Sequence, residues 1–169
     1  PHLHARSNQA EGPKSQLRKT TMMVLAVTLH NIPEGMAIGV AFGSLAYGLE
    51  GSTAAGAWML ALGIGLQNLP EGMAVSLPLR REGYSPRQAF FYGQLSGVVE
   101  PIAAVLGALL ILKIQVCLPF LLAFAAGAMI YVVVEELIPE SQTNENKDWM
   151  ALFTLVGFSV MMVLDVALG

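Results

Sequence analysis

His30-Asn31-Ile32-Pro33-Glu34-Gly35-Met36-Ala37-Ile38 and Gln67-Asn68-Leu69-Pro70-Glu71-Gly72-Met73-Ala74-Val75 are two copies of one pattern, each set inside a long apolar stretch. An ionisable side chain at bilayer depth is unfavourable by about 2.5–3.5 kcal/mol on insertion scales, so it normally faces a cavity, a pathway or a ligand. A polar, proline-broken motif that recurs within lipid therefore marks a binding site. Two such helices can face one another around a shared ligand.

Outward from the motifs the chain stays apolar. Its 169 residues are 54% hydrophobic and only 12% charged, with a mean hydropathy of +0.59, which excludes an ordinary soluble domain. Five apolar stretches, residues 21–47, 53–79, 88–112, 116–138 and 149–168, each reach the roughly 20 residues needed to cross the hydrocarbon core. Their continuity excludes a β-barrel, whose alternating segments are about 10 residues long. The fold class is all-α, a polytopic transmembrane helix bundle. Residues 1–19 are polar and read as a flexible arm or loop remnant ahead of a transmembrane domain at 20–169. The chain opens on Pro1 without a basic region leading into an apolar core, and it reads as a fragment or processed piece rather than a signal peptide.

Basic residues sort by side. Arg6, Lys14, Arg18 and Lys19 precede the first span, Arg80, Arg81 and Arg87 lie between the second and third, and Lys147 precedes the fifth, whereas the opposite loops hold only Lys113. The positive-inside rule places the N-terminal arm in the cytosol and the C-terminus outside it. Cys117 is the one cysteine, which excludes an intrachain disulfide and a cysteine-rich zinc module. A net charge of −3 gives no sign of a nucleic-acid partner.

On a helix His30 and Asn31 share a face with Glu34, and Gln67 and Asn68 share one with Glu71. Pro33 and Pro70 cannot donate to the carbonyls of Leu29 and Leu66, which frees those acceptors beside a carboxylate and bends each helix. The third span adds Glu100, followed by Pro101 and preceded by Gln94 and Ser96; Glu135-Glu136 and Asp165 lie near the ends of the fourth and fifth. No Lys or Arg falls within the five spans, so these carboxylates must be protonated, reach water or neutralise a bound cation. Mixed His nitrogen and Glu, Asn and Gln oxygen suit zinc, iron or manganese better than calcium or thiolate-bound copper. Glu136 and Asp165 fit an interfacial role as well as ligation. The methionines read as packing, and His2 and His4 as incidental. Gly35, Gly39 and Gly43, and likewise Gly93 and Gly97, are spaced for close helix packing, and such faces also permit a homodimer.

The motifs His30-Asn31-x-Pro33-Glu34-Gly35, x-Pro70-Glu71-Gly72, Glu100-Pro101 and Glu135-Glu136-x-Ile138-Pro139-Glu140 resemble those of the ZIP (Zrt/Irt-like) metal transporters, most closely their GufA-like branch. The resemblance runs from about Thr20 to Gly169. It implies divalent metal uptake into the cytosol by an eight-helix fold with an inverted repeat, of which the five spans look like helices four to eight and the first three are missing. By motif position it implies one ion held by His30, Glu34, Gln67, Glu71 and Glu100, and a neighbour held by Asn31, Glu34, Asn68, Glu71 and Glu100, with Glu34 and Glu71 bridging. Asn68 stands where relatives have Asp, which removes one negative charge from the second site. The expected function is transport of zinc, with manganese, iron or cadmium as further cargo, by alternating access, and no catalytic cofactor. The rivals are a metal-dependent intramembrane hydrolase and a metal sensor without flux.

Overall fold

The computed structural model describes residues 2–3, 10–11, 19–142 and 145–168. In the arm, β1 (His2–Leu3) pairs antiparallel with β2 (Ala10–Glu11). Apart from short connecting turns, the rest of the described chain is helical: α1 (Lys19–Ala46), α2 (Ala54–Arg81), α3 (Pro86–Gly97), α4 (Val99–Leu109), α5 (Ile111–Val132), a π-helical turn (Val133–Leu137), α6 (Ile138–Ser141) and α7 (Lys147–Leu168). Helices dominate because lipid offers no partner to a backbone N–H or C=O, so each segment must satisfy its own.

Among the described residues, four segments are long and apolar enough to cross a membrane: Thr20–Ala46, Pro86–Leu109, Val116–Glu135 and Lys147–Leu164. The helix expected across 53–79 is present as α2 and matches α1 in length at 28 residues. Gln67, Asn68, Pro70 and Glu71 lower its hydropathy, so length rather than composition qualifies it.

Helix ends follow local chemistry. Thr53 caps α2 by accepting from the Gly56 N–H at 3.1 Å. Ser85 and Gln88 form a reciprocal capping box at the start of α3, with Pro86 in the first turn. Gly83, in the loop between α2 and α3, takes φ +93°, a left-handed conformation that side-chain-bearing residues avoid.

The third span is not the continuous helix its apolar run predicts. It breaks at Val98, between α3 and α4. Pro101 has no N–H to offer the Gly97 carbonyl, and the Val98 N–H turns back to Leu95 O at 3.2 Å. Pro33 and Pro70, by contrast, sit inside helices that continue through them.

Helix α1 is the centre of the bundle, packed on α4, α5 and α2, while α2 also carries α3 and touches α7. The α1–α4 contact is backbone on backbone. A Cβ at Gly35 would lie 2.3 Å from the Glu100 carbonyl oxygen, and one at Gly107 would lie 2.6 Å from that of Met36. Van der Waals contact between small residues is the main cohesive force here, because apolar side chains gain little by leaving lipid for one another. The glycines of α1 thus serve packing within the chain. Gly93 does the same for α3, where a Cβ would lie 2.9 Å from the Gly72 carbonyl oxygen.

Candidate metal centre

The α1–α4 approach brings Glu100 beside the first motif, and α2 brings the second motif to the same depth. His30, Asn31, Glu34 and Glu100 are all buried, the most exposed of them only 8% accessible, and Glu71 is half-buried.

His30 Nε2 lies 3.2 Å from Glu34 Oε1 and 3.6 Å from Glu71 Oε1. For an ion bound tetrahedrally at about 2.0–2.1 Å, neighbouring donor atoms sit about 3.3 Å apart. The three residues are therefore spaced to share one ion, and their ligand atoms all fall within 4.8 Å of one another. On its other side His30 Nδ1 meets the Ala125 carbonyl oxygen of α5 at 3.1 Å. A carbonyl only accepts, so Nδ1 carries the proton and Nε2 is the atom presented to the carboxylates.

Amides hold the carboxylates in place. Gln67 Nε2 donates to Glu34 Oε1 and, at 3.0 Å, to Glu71 Oε1. Asn68 Nδ2 donates to Glu100 Oε2 at 2.6 Å, and Asn31 Nδ2 donates to the Ser96 carbonyl at 3.0 Å. Among the described residues, the buried side-chain polar atoms left without a partner are Asn31 Oδ1, Glu34 Oε2, Asn68 Oδ1, Glu71 Oε2 and Glu100 Oε1. All five are oxygens of motif residues. A buried acceptor without a donor is unfavourable by about 1–3 kcal/mol, and five in one place amount to a cage of oxygens suited to a cation. No Lys or Arg lies between Lys19 and Arg80, or from residue 88 to 112, to supply a counter-charge.

A cavity of about 330 Å³ adjoins this cage, lined by Asn31, Asn68, Glu71, Gln94, Ser96 and Glu100 among others. Of the seven expected ligand positions, His30, Glu34, Gln67 and Glu71 form one bonded cluster and Asn68 with Glu100 another, while Asn31, Asn68, Glu71 and Glu100 line the same cavity. Three further participants lie outside that set. The Ala125 carbonyl leaves no trace in residue identity, while Gln94 and Ser96 were visible as polar positions ahead of Glu100.

The ZIP zinc transporter family model matches residues 2–165. The chain belongs to the ZIP zinc transporter family. It is 51% identical over 165 residues to zinc transporter ZIP11 of Homo sapiens, covering 98% of this chain and 48% of that protein. It is 41% identical to zinc transporter GufA of Myxococcus xanthus, covering 100% of this chain and 64% of that one. Zinc transporter ZIPB of Bordetella bronchiseptica is 37% identical, with 100% and 52% covered. This ZIP chain spans about half the length of the curated relatives it matches, and it is an integral membrane protein.

Away from the centre, Glu135 of this ZIP chain lies half-buried on the π-helical turn and has an interaction partner. Insertions of this kind often fall at functional sites. The side chains of Glu136, Asp165 and His2, and the whole of His4, lie outside the described residues.

Proposed function

We propose that the complete protein carries divalent transition-metal ions, zinc foremost, across its membrane toward the cytosol through a mid-membrane two-ion site made by His30, Asn31, Glu34, Gln67, Asn68, Glu71 and Glu100. The observation that carries this reading is the set of five buried oxygens without donors. Each belongs to the group expected to hold the second ion, and the His30, Glu34 and Glu71 cluster supports the first. The names of the relatives, zinc transporters in each case, support the same cargo.

The chemistry suits carriage. Glu34 and Glu71 bridge the two ions and supply charge, while His30 supplies the borderline-soft nitrogen that zinc favours. Neutral oxygens from Asn31, Gln67 and Asn68 temper the affinity so that the ion can leave. Loading requires the amides of Gln67 and Asn68 to turn from donating a proton to presenting oxygen, and protonation of the glutamates assists unloading. Residues 1–19 form the cytosolic arm, residues 20–169 the transport domain, and the C-terminus lies on the far side. The first three helices of the family fold come from the remainder of the protein. The glycine face of α1 is occupied by α4, so a homodimer would form through another surface. Neither the hydrolase nor the flux-free sensor gains a supporting observation.

The test is zinc flux into liposomes holding the complete protein, with manganese, iron and cadmium as competitors. Flux abolished in a folded Glu34→Gln, Glu71→Gln variant supports the reading. Binding without flux in the parent would favour a sensor, and metal-dependent cleavage of lipid or peptide a hydrolase.

A further inference from the structure

We propose that Gln94 is a second station for the cation, a ligand that holds the hydrated divalent ion between the central site and the basic-loop side of the membrane. This assignment rests on the transport reading above and adds a residue outside the seven central ligands.

Three observations converge on Gln94. It lines the cavity that adjoins the central oxygens, about a turn and a half of helix before Glu100. Its side chain is exposed and has no hydrogen-bond partner among the described residues. Its neighbours Phe90, Phe91 and Leu95 are large exposed hydrophobics, so this amide is set among apolar side chains. An amide at that depth is unfavourable against hydrocarbon and is explained by a wet cavity or a ligand.

The second observation is the obstruction of the direct route. Toward the 80–87 loop, the space between α1, α2 and α3 is filled by Val27, Val75, Leu79 and Ala89, with Val24 and Tyr84 against them. Val75 is one helical turn beyond Glu71, and Val27 lies one turn before Asn31, so an ion moving straight down would meet a dry plug. The polar cavity instead turns toward α3, along Gln94 and Ser96. Its roughly 330 Å³ has room for an ion and several waters at about 30 Å³ each.

The third observation is that Gln94 is held in place. Gly93 presses on the Gly72 backbone, the Ser96 hydroxyl donates to the Gly93 carbonyl at 2.7 Å, and Asn31 is bonded to the Ser96 carbonyl. The last turn of α3 is thereby tied to both motif helices. Beside it, the Gly97 carbonyl has lost its helical donor to Pro101. A neutral amide oxygen together with a freed carbonyl can replace part of the water shell of a divalent ion without the charge that would trap it.

The experiment uses the complete protein in liposomes with zinc as the probe. Gln94→Leu is expected to lower flux about tenfold, which is about 1.4 kcal/mol of barrier, while equilibrium zinc binding at the central site stays unchanged and Gln94→Asn retains most of the flux. Unchanged flux in Gln94→Leu, or flux and binding falling together, overturns the assignment. Wild-type flux and its loss in the Glu34→Gln, Glu71→Gln variant separate this failure from that of the transport reading. A second readout does not depend on Gln94→Leu folding. In a background from which Cys117 and any cysteine elsewhere in the complete protein have been removed, Gln94→Cys should react with a charged maleimide added from the basic-loop side, and zinc should slow the reaction. Absence of labelling from that side, or labelling indifferent to zinc, overturns the proposal.

Discussion

Gly39 lies so close to Ala104 that a Cβ on the glycine would come within 2.0 Å of the alanine carbonyl oxygen. The two helix backbones touch, and the same contact, one turn away, seats Glu100 beside Gly35. Gly39→Ala must separate α1 from α4, and overpacking of this kind is unfavourable by about 1–3 kcal/mol. Unfolding of the purified protein in mild detergent should show that loss, together with weaker metal binding as Glu100 is drawn from the site. Gly127→Ala, where a Cβ would meet nothing within 4 Å, is the control and should change stability by no more than about 0.5 kcal/mol.

Gln67 is the donor that ties Glu34 to Glu71. Gln67→Leu leaves two buried carboxylates facing each other without it, and the metal-free protein should lose about 1–3 kcal/mol. Saturating zinc should restore much of that loss, because the ion binds the folded state and neutralises the same charges. Melting temperatures with and without zinc measure both effects. A variant destabilised equally in both conditions would show that Gln67 only fills space.

Asn68→Asp places a carboxylate where an amide now donates to Glu100 at 2.6 Å. Without metal the pair repels or shares a proton, so the apo protein should be less stable. With metal, the added charge should raise affinity and slow release, and a calorimetric titration should show tighter binding at the second site while flux falls. Tighter binding with faster flux would contradict the view that neutral oxygens tune release.

Acidification should weaken binding. The ligands hold a cation only as carboxylates and neutral imidazole, so each proton taken up by a ligand competes with the metal, and affinity falls as pH falls. Zinc titrations between pH 7.5 and 5.5, in buffers of different ionisation heat, should show both the fall in affinity and protons released on binding. A pH-independent affinity would argue against carboxylate ligation.

Residue order alone established much of this protein. Runs of apolar residues long enough to cross the bilayer forced helices, because backbone groups in lipid must be satisfied within their own segment. The polar triplets His30, Asn31, Glu34 and Gln67, Asn68, Glu71 announced their shared faces through the helical repeat, which needs no knowledge of neighbours. The lack of Lys and Arg within the spans left the carboxylates to protonation, water or a cation from outside the chain. What remained illegible depends on distances between segments far apart in sequence. That Asn68 of α2 reaches Glu100 of α4, that His30 of α1 turns its Nδ1 to the Ala125 carbonyl of α5, and that Asn31 of α1 holds Ser96 of α3 follow from how these helices pack on one another. Even the break at Val98 was open, since Pro33 and Pro70 sit in helices that continue while Pro101 follows one that does not. Spacing along a helix is a local property of the chain, whereas the partners of a buried oxygen are chosen by packing.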